Sequence, residues 1–371
     1  MNIESNKYHS RLFYLDYLRL FLVLSVVALH SVMAYAVNTD HVWHVLDSSR
    51  NIIFDAYALL FDYSVMPIFF FVAGFFMLKS IQKKKISEFI KKKFFRLIVP
   101  FILAIIFVIP FAMYFRSLYH FNQTWGFSEY WFFNYWADFN QLMHLWFLPA
   151  LFVFFLVYAF IYFLKKDFFI SLSEGTLLIF VTITTLIFFI ISIFITYDKW
   201  IMAGDFYLIQ PTRYVIYFAF FSLGIMFYRS DFFSKNKKFS DSFLWIILAI
   251  FTFTFIVFIY YFYMENLNEL SFVFINSILR VVFCLSALMS LTFLFRKFLN
   301  FPSKIIQKMS SNSYAIYIIH YPFVVALQYY LIDLPVSIFI KFFIVFVLSI
   351  LASFALSEYI LRRMPFLKNI L

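Results

Sequence analysis

Repetition at one length constrains this chain most: about ten apolar runs of roughly twenty residues follow one another with short polar interruptions. Their limits fall near 12–36, 52–78, 97–117, 143–164, 175–196, 206–228, 242–263, 271–295, 312–332 and 336–361. A run of that length crosses the hydrocarbon of a bilayer as one helix, and only helices or closed barrels satisfy their backbone inside lipid. The pattern predicts an all-α fold, a polytopic bundle of about ten transmembrane helices. With 64% hydrophobic and 13% charged residues, the 371-residue chain has more apolar surface than a soluble domain can bury. No internal repeat, soluble domain or long linker is visible, so residues 1–371 read as a single integral-membrane domain. The first run is a full span with polar features built in, and does not read as a cleavable signal.

The net charge of +11 could point to nucleic acid, but the cations are sorted by loop. Of the thirty Lys and Arg, twenty-three fall on one side: before the first span, from Lys79 to Arg96, at Lys165 and Lys166, from Arg229 to Lys238, from Arg296 to Lys308, and from Arg362 to Lys368. Arg50, Arg116 and Lys199 lie on the other side, and Arg19, Arg213, Arg280 and Lys341 lie within spans. The positive-inside rule then places both termini in the cytoplasm, with the lipid bilayer as partner and no nucleic acid. The long outer loop from Leu118 to Leu142, rich in Trp and Tyr, reads as an interfacial cap. The lone Cys284 excludes an intramolecular disulfide and a cysteine-based metal cluster.

The first span carries Asp16, Arg19 and His30, and ionisable groups in hydrocarbon are costly enough to mark a site. Arg19 and His30 are eleven residues apart. At about 100° per residue they share one face, separated by roughly 16 Å along the axis. Asp16 lies one turn before Arg19, a spacing that lets a carboxylate meet a guanidinium. Snorkelling of the charged pair to the inner headgroups, with His30 idle at the opposite interface, is the bland alternative.

Of the other histidines, His41, His44, His120 and His144 map to the outer half and His320 to mid-membrane, a clustering that suits proton transfer at one surface. A metal held by His41 and His44 with Asp40 or Asp47 is the weaker alternative, because no stringent ligand spacing such as HExxH occurs; no metal site is assigned. In HLWFLPA, Trp146 reads as an interfacial anchor beside His144. His320, with Tyr317 and Tyr321 near it and Asn312 one or two turns earlier, reads first as a hydrogen-bonded packing residue.

On the basic side, Lys93 and Arg96 are one turn apart and could grip one phosphate, although positive-inside topology alone explains most of the lysines around them. No GxxxxGK[ST] or GxGxxG segment is present. Arg213 and Arg280 sit inside spans and need partners, for which Asp62 is the candidate. Lys341 and Glu358 lie near enough to helix ends to snorkel.

Leu15-Asp16, Arg19 and His30 in the first span resemble the opening signature of the membrane-bound acyltransferase 3 family. MPIFFFVAGFF resembles that family's second-helix pattern and SNSYAIYIIHYPF its penultimate helix. KFFRLIVPF resembles its paired-arginine motif with Lys93 in place of the first Arg, which keeps the charge and loses a bidentate fork. HVWHV at 41–45, HLWFL at 144–148 and the closing EYILRRMPFLKNIL are similar to the branch that succinylates osmoregulated periplasmic glucans.

The resemblance implies an acyltransferase of the bacterial cytoplasmic (inner) membrane. It would use cytoplasmic acyl-CoA as co-substrate, with no bound cofactor, and act on a glycan hydroxyl on the outer side. It implies His30, Arg19 and Asp16 as catalytic residues and Lys93 and Arg96 as donor-binding. Trp43, His44, His144, Trp146, Arg213 and His320 are the expected substrate-binding residues. His30 would act as general base or carry the acyl group briefly. The rival expectation is a proton-coupled secondary transporter using Asp16, Arg19, Asp62 and Arg213, against which stands the lack of paired helix breaks.

Overall fold

The computed structural model describes residues 13–39, 43–83, 85–121, 125–136, 142–165, 172–195, 199, 201–203, 207–235, 237–263 and 269–371. Each apolar run closes its backbone hydrogen bonds within a helix: α1 (Phe13–Val32), α2 (Ile52–Ile81), α3 (Ile86–Phe107), α4 (Ile109–Phe121), α5 (Phe147–Leu164), α6 (Glu174–Phe194), α7 (Pro211–Ser230), α8 (Leu244–Phe258), α9 (Glu269–Phe298), α10 (Lys304–Leu331) and α11 (Ile338–Tyr359). Helices α3 and α4 form one apolar unit over Ile86–Phe121. It bends at Val108, where Pro110 two residues on has no N–H to return to the preceding turn.

Among the described residues, eight units are long and apolar enough to cross a membrane. The two other long helices, α7 with 20 residues and α10 with 28, are more polar. Both are packed inside the bundle, where neighbours can satisfy what lipid cannot: α7 against α2 and α6, α10 against α1, α4 and α11. The expected ten membrane-length units are therefore present.

Two limits differ from expectation. The third span, expected from residue 97, starts as a helix at Ile86, because the basic segment before it is a continuous amphipathic extension. The sixth, expected from residue 206, starts at Pro211, whose missing N–H and fixed φ suit the first helical position. Before it lies a short antiparallel pair, β1 (Ile201–Ala203) and β2 (Tyr207–Ile209), with Ile201 opposite Ile209. In the expected cap, Tyr114 donates to the Trp125 carbonyl at 3.0 Å and Tyr135 to the Ile105 carbonyl at 2.8 Å, fastening the described part of that segment along α3 and α4.

The two ends of the bundle differ in chemistry. At the basic end the start of α1 meets α10: Ser310 donates to the Asp16 carbonyl at 3.1 Å, and Asn300 accepts from the Tyr14 N–H at 3.4 Å. The end of α11 joins them through Glu358, which pairs with Lys308 at 3.2 Å and accepts from Asn312 at 2.8 Å. Glu358 is thus engaged with α10, and Asn312 serves this end rather than His320. At the opposite end the histidines gather.

Helices α2 and α7 make the most extensive contact in the bundle. Gly74 lies on the backbone of Phe221 and Gly224 on that of Phe71, so that a Cβ at Gly74 would overlap the Phe221 carbonyl and one at Gly224 would come within 2.7 Å of the Phe75 nitrogen. Gly74→Ala is expected to lower the stability of the detergent-solubilised protein by about 1–3 kcal/mol. Gly126→Ala, which adds a methyl to open space, should leave the unfolding midpoint unchanged.

Candidate active site

At the end of α1 remote from the cation-rich surface, His30 meets α10. His30 Nδ1 lies 2.8 Å from His320 Nε2. The other nitrogen of His320, Nδ1, lies 2.8 Å from the Tyr317 carbonyl and 3.1 Å from that of Ile316. His320 is fully buried. His30 is deep in the bundle yet keeps some accessible surface, and among the described residues the hydrogen bond its ring makes is the one from Nδ1.

Pro322 shapes the surrounding turn of α10. It has no N–H for the Ile318 carbonyl, and His144 supplies the replacement, its Nε2 lying 3.0 Å from that oxygen. His144 is carried inward by the single turn Met143–Trp146, entered through Met143 at φ 47, a left-handed conformation that costs a non-glycine residue about 1 kcal/mol or more. Tyr317 donates its hydroxyl to the His144 carbonyl.

The loop between α1 and α2 closes the cluster. Trp43 stacks on the His30 ring at 5.6 Å and 15°, and its indole N–H donates to Gln328 at 2.8 Å. The Gln328 amide in turn donates to the last carbonyls of α1, His30 at 3.0 Å and Ser31 at 3.2 Å, groups a helix end leaves open. His44 is hydrogen-bonded to the Tyr321 hydroxyl at 2.7 Å. Burial, with Arg116 and His120 adding positive charge nearby, pushes the His44 imidazole down to about 3, so it is neutral at physiological pH.

Asp55 accepts from the Val37 and Asn38 N–H groups, both at 2.8 Å, and pins the start of this loop. Its far side is held by Asp47 and Lys341, 2.6 Å apart and only 3% and 4% exposed. Lys341 also donates to the Ile332 carbonyl at 2.9 Å. The expectation that Lys341 snorkels is overturned: α11 buries it against a carboxylate delivered by the loop.

His30, His44, His144, His320 and Trp43 are thus brought together. Trp146 lies one layer away, stacked on Tyr217 at 5.4 Å. Arg213 is paired with Asp62, as the buried-charge reasoning anticipates, and Arg280 lies 3.6 Å from the same carboxylate with its guanidinium 4.0 Å from the Tyr63 ring. Arg19 is half-buried near the basic end, attracted by Asp16 and repelled by Arg96. Arg96 is exposed, and its carbonyl accepts from Tyr314. The Lys93 ammonium turns inward over Phe155 at 3.7 Å and Phe89 at 5.4 Å, a cation–π seat rather than a fork with Arg96. His41 and Asp40 lie outside the described residues. Among the described residues no group of three or more His, Cys, Asp or Glu is arranged to hold a metal ion. Sequence reasoning missed Gln328 and the Asp47–Lys341 pair; a lysine in the first turn of a largely apolar α11 was the signal for the latter.

A helical bundle with a solvent-poor cluster of imidazoles at one end and guanidinia at the other has the parts of a multi-pass membrane transferase. The profile of the acyltransferase 3 family, described as an acyltransferase domain, matches residues 12–358, and the chain belongs to that family. It is therefore a membrane acyltransferase that moves acyl groups other than aminoacyl groups, and the transporter alternative falls away. No curated protein and no solved structure matches the chain.

Breaking the Asp47–Lys341 pair strands a buried charge. Lys341→Met alone is expected to destabilise by about 3–5 kcal/mol, and the double variant Asp47→Leu with Lys341→Met by much less. Unfolding midpoints of the two variants in one detergent provide the check.

Proposed function

We propose that this protein transfers an acyl group from cytoplasmic acyl-CoA to a carbohydrate hydroxyl on the outer face of a bacterial inner membrane. A succinyl group and a periplasmic glucan are the particular pair suggested by the resemblance of HVWHV, HLWFL and the closing EYILRRMPFLKNIL. The observation that carries the proposal is His30: its Nδ1 is held by His320, which leaves Nε2 for chemistry, inside a family whose chemistry is acyl transfer.

The division of labour follows the two ends of α1. Arg19 from α1 and Arg96 from α3 form the donor end, where guanidinia suit phosphates of a nucleotide. Asp16 orients Arg19. Lys93 is assigned to packing α3 on α5, because its ammonium is engaged by Phe155. With both termini on the cytoplasmic side, the pantetheine arm rises roughly 16 Å, the spacing of eleven helical residues, to bring the thioester to His30.

His30 Nε2 takes the proton of the acceptor hydroxyl as that oxygen attacks the thioester carbonyl. The C–S bond breaks, and the departing thiolate recovers the proton from His30, leaving an ester and free CoA. Trp43, His44, His144 and His320 line the acceptor side. Arg213, engaged by Asp62, and Trp146, stacked on Tyr217, stand behind it as support.

Purified protein in lipid discs, supplied with succinyl-CoA and periplasmic glucan, is the test, with free thiol and glucan mass as readouts. His30→Ala should lower transfer by about 10²–10⁴-fold while preserving the folded protein. Arg96→Ala should raise the KM for acyl-CoA, and Lys93→Met should leave that KM near the parent value. Full activity in His30→Ala removes the catalytic assignment; thiol release with no gain in glucan mass removes the acceptor.

A further inference from the structure

The two contacts of His320 carry information about the proton on His30. The Tyr317 and Ile316 carbonyl oxygens near His320 Nδ1 are acceptors only, so Nδ1 carries a hydrogen. The ring is fully buried, and the groups that face it, His30, His144, Tyr317 and Tyr321, include no carboxylate to balance an imidazolium. His320 is therefore neutral with a lone pair on Nε2. At 2.8 Å from that lone pair, His30 Nδ1 must be the donor.

We infer that His320 is a positioning residue: by accepting from Nδ1–H of His30 it fixes the tautomer that keeps the lone pair on Nε2. This rests on the role proposed for His30, but the tautomer is a property of the resting protein and can be read without turnover.

The surroundings reinforce the assignment. Trp43 stacked on one face of His30 and Tyr321 edge-on at 5.1 Å restrict rotation of the ring, so exchanging the two nitrogens would require moving both. Pro322 lets the turn that holds His320 keep its shape while His144 fills the opened carbonyl. The device has the logic of the carboxylate that orients the histidine of a serine protease, with one difference. The orienting group is neutral, so it selects the nitrogen without adding a negative charge to stabilise the imidazolium. When His30 takes a proton on Nε2, the titratable groups that meet the new charge are His320 and Tyr321 from α10, His144 from the turn before α5, and His44 from the loop.

The replacement that distinguishes positioning from packing is His320→Gln. A glutamine amide oxygen can occupy the place of the imidazole Nε2 and accept the same hydrogen, whereas His320→Leu fills space without accepting. His320→Gln should retain kcat within about tenfold of the parent. His320→Leu should lose about 10²-fold or more in kcat with the KM for acyl-CoA unchanged, since reversing the tautomer of a catalytic histidine elsewhere costs about 10⁴.

Nitrogen-15 spectra of histidine-labelled protein in lipid discs give the independent readout. The parent and His320→Gln should show His30 protonated on Nδ1, and His320→Leu should show a mixed population, with His30→Ala identifying the signal. A parent protein with His30 protonated on Nε2 overturns the inference, as does a His320→Leu enzyme that keeps both the tautomer and the parent kcat. If the tautomer is as inferred and His30→Ala nevertheless transfers acyl groups normally, the catalytic role of His30 fails while the positioning by His320 stands.

Discussion

Lipid offers no hydrogen bonds, and that single constraint organises this molecule. Every backbone polar group on a membrane-spanning helix has to find its partner inside the protein. The two most polar long helices, α7 and α10, are accordingly packed among other helices, while the apolar faces of α6, α8 and α11 are left outward. Burial on α10 brings Ser310, Asn312, Ser313, Tyr317, His320, Tyr321 and Gln328 into one interior column, from the cation-rich end to the imidazoles. The candidate site is where that column meets the end of α1 and the loop that follows it.

Much of this was legible in the sequence because it follows from length and sign. Runs of roughly twenty apolar residues gave ten membrane-length units, and the need of Arg213 and Arg280 for a counter-charge pointed to Asp62. What was hidden depends on contacts between distant residues. Lys341 and Asp47 are separated by 294 positions and meet only once α11 packs beside the loop after α1. His320 looked like a packing residue because a helical pattern cannot reveal that its neighbour in space is His30, 290 positions away. The start of α7 was misplaced for a different reason: Tyr207–Ile209 is apolar and β-prone, and three residues carry no period by which strand and helix could be told apart.

The polar residues of the first span singled out Arg19 and His30, the resemblance supplied the family, and the geometry shows what surrounds them. Lys93 was expected beside Arg96 as half of a phosphate grip, yet its ammonium rests on Phe155 while Arg96 stays exposed. A lysine at this place tolerates an aromatic seat that a rigid guanidinium fork would fill differently, and the substitution of Lys for Arg therefore changes what the basic end offers. The pairing across α1 and α3 is then between Arg19 and Arg96, like charges brought near each other at the mouth of a low-dielectric interior.

Pro322 is usually the sort of residue counted as an interruption. Here its missing hydrogen leaves one carbonyl of α10 open towards α5, and an imidazole fills it. The turn that leads into α5 is thereby stitched to α10 by a bond that a regular helix would have kept to itself. Any residue with an amide hydrogen at position 322 would compete with His144 for the same oxygen, so the proline acts as a reserved seat. It couples the local backbone chemistry of one helix to the placement of a ring borne by another.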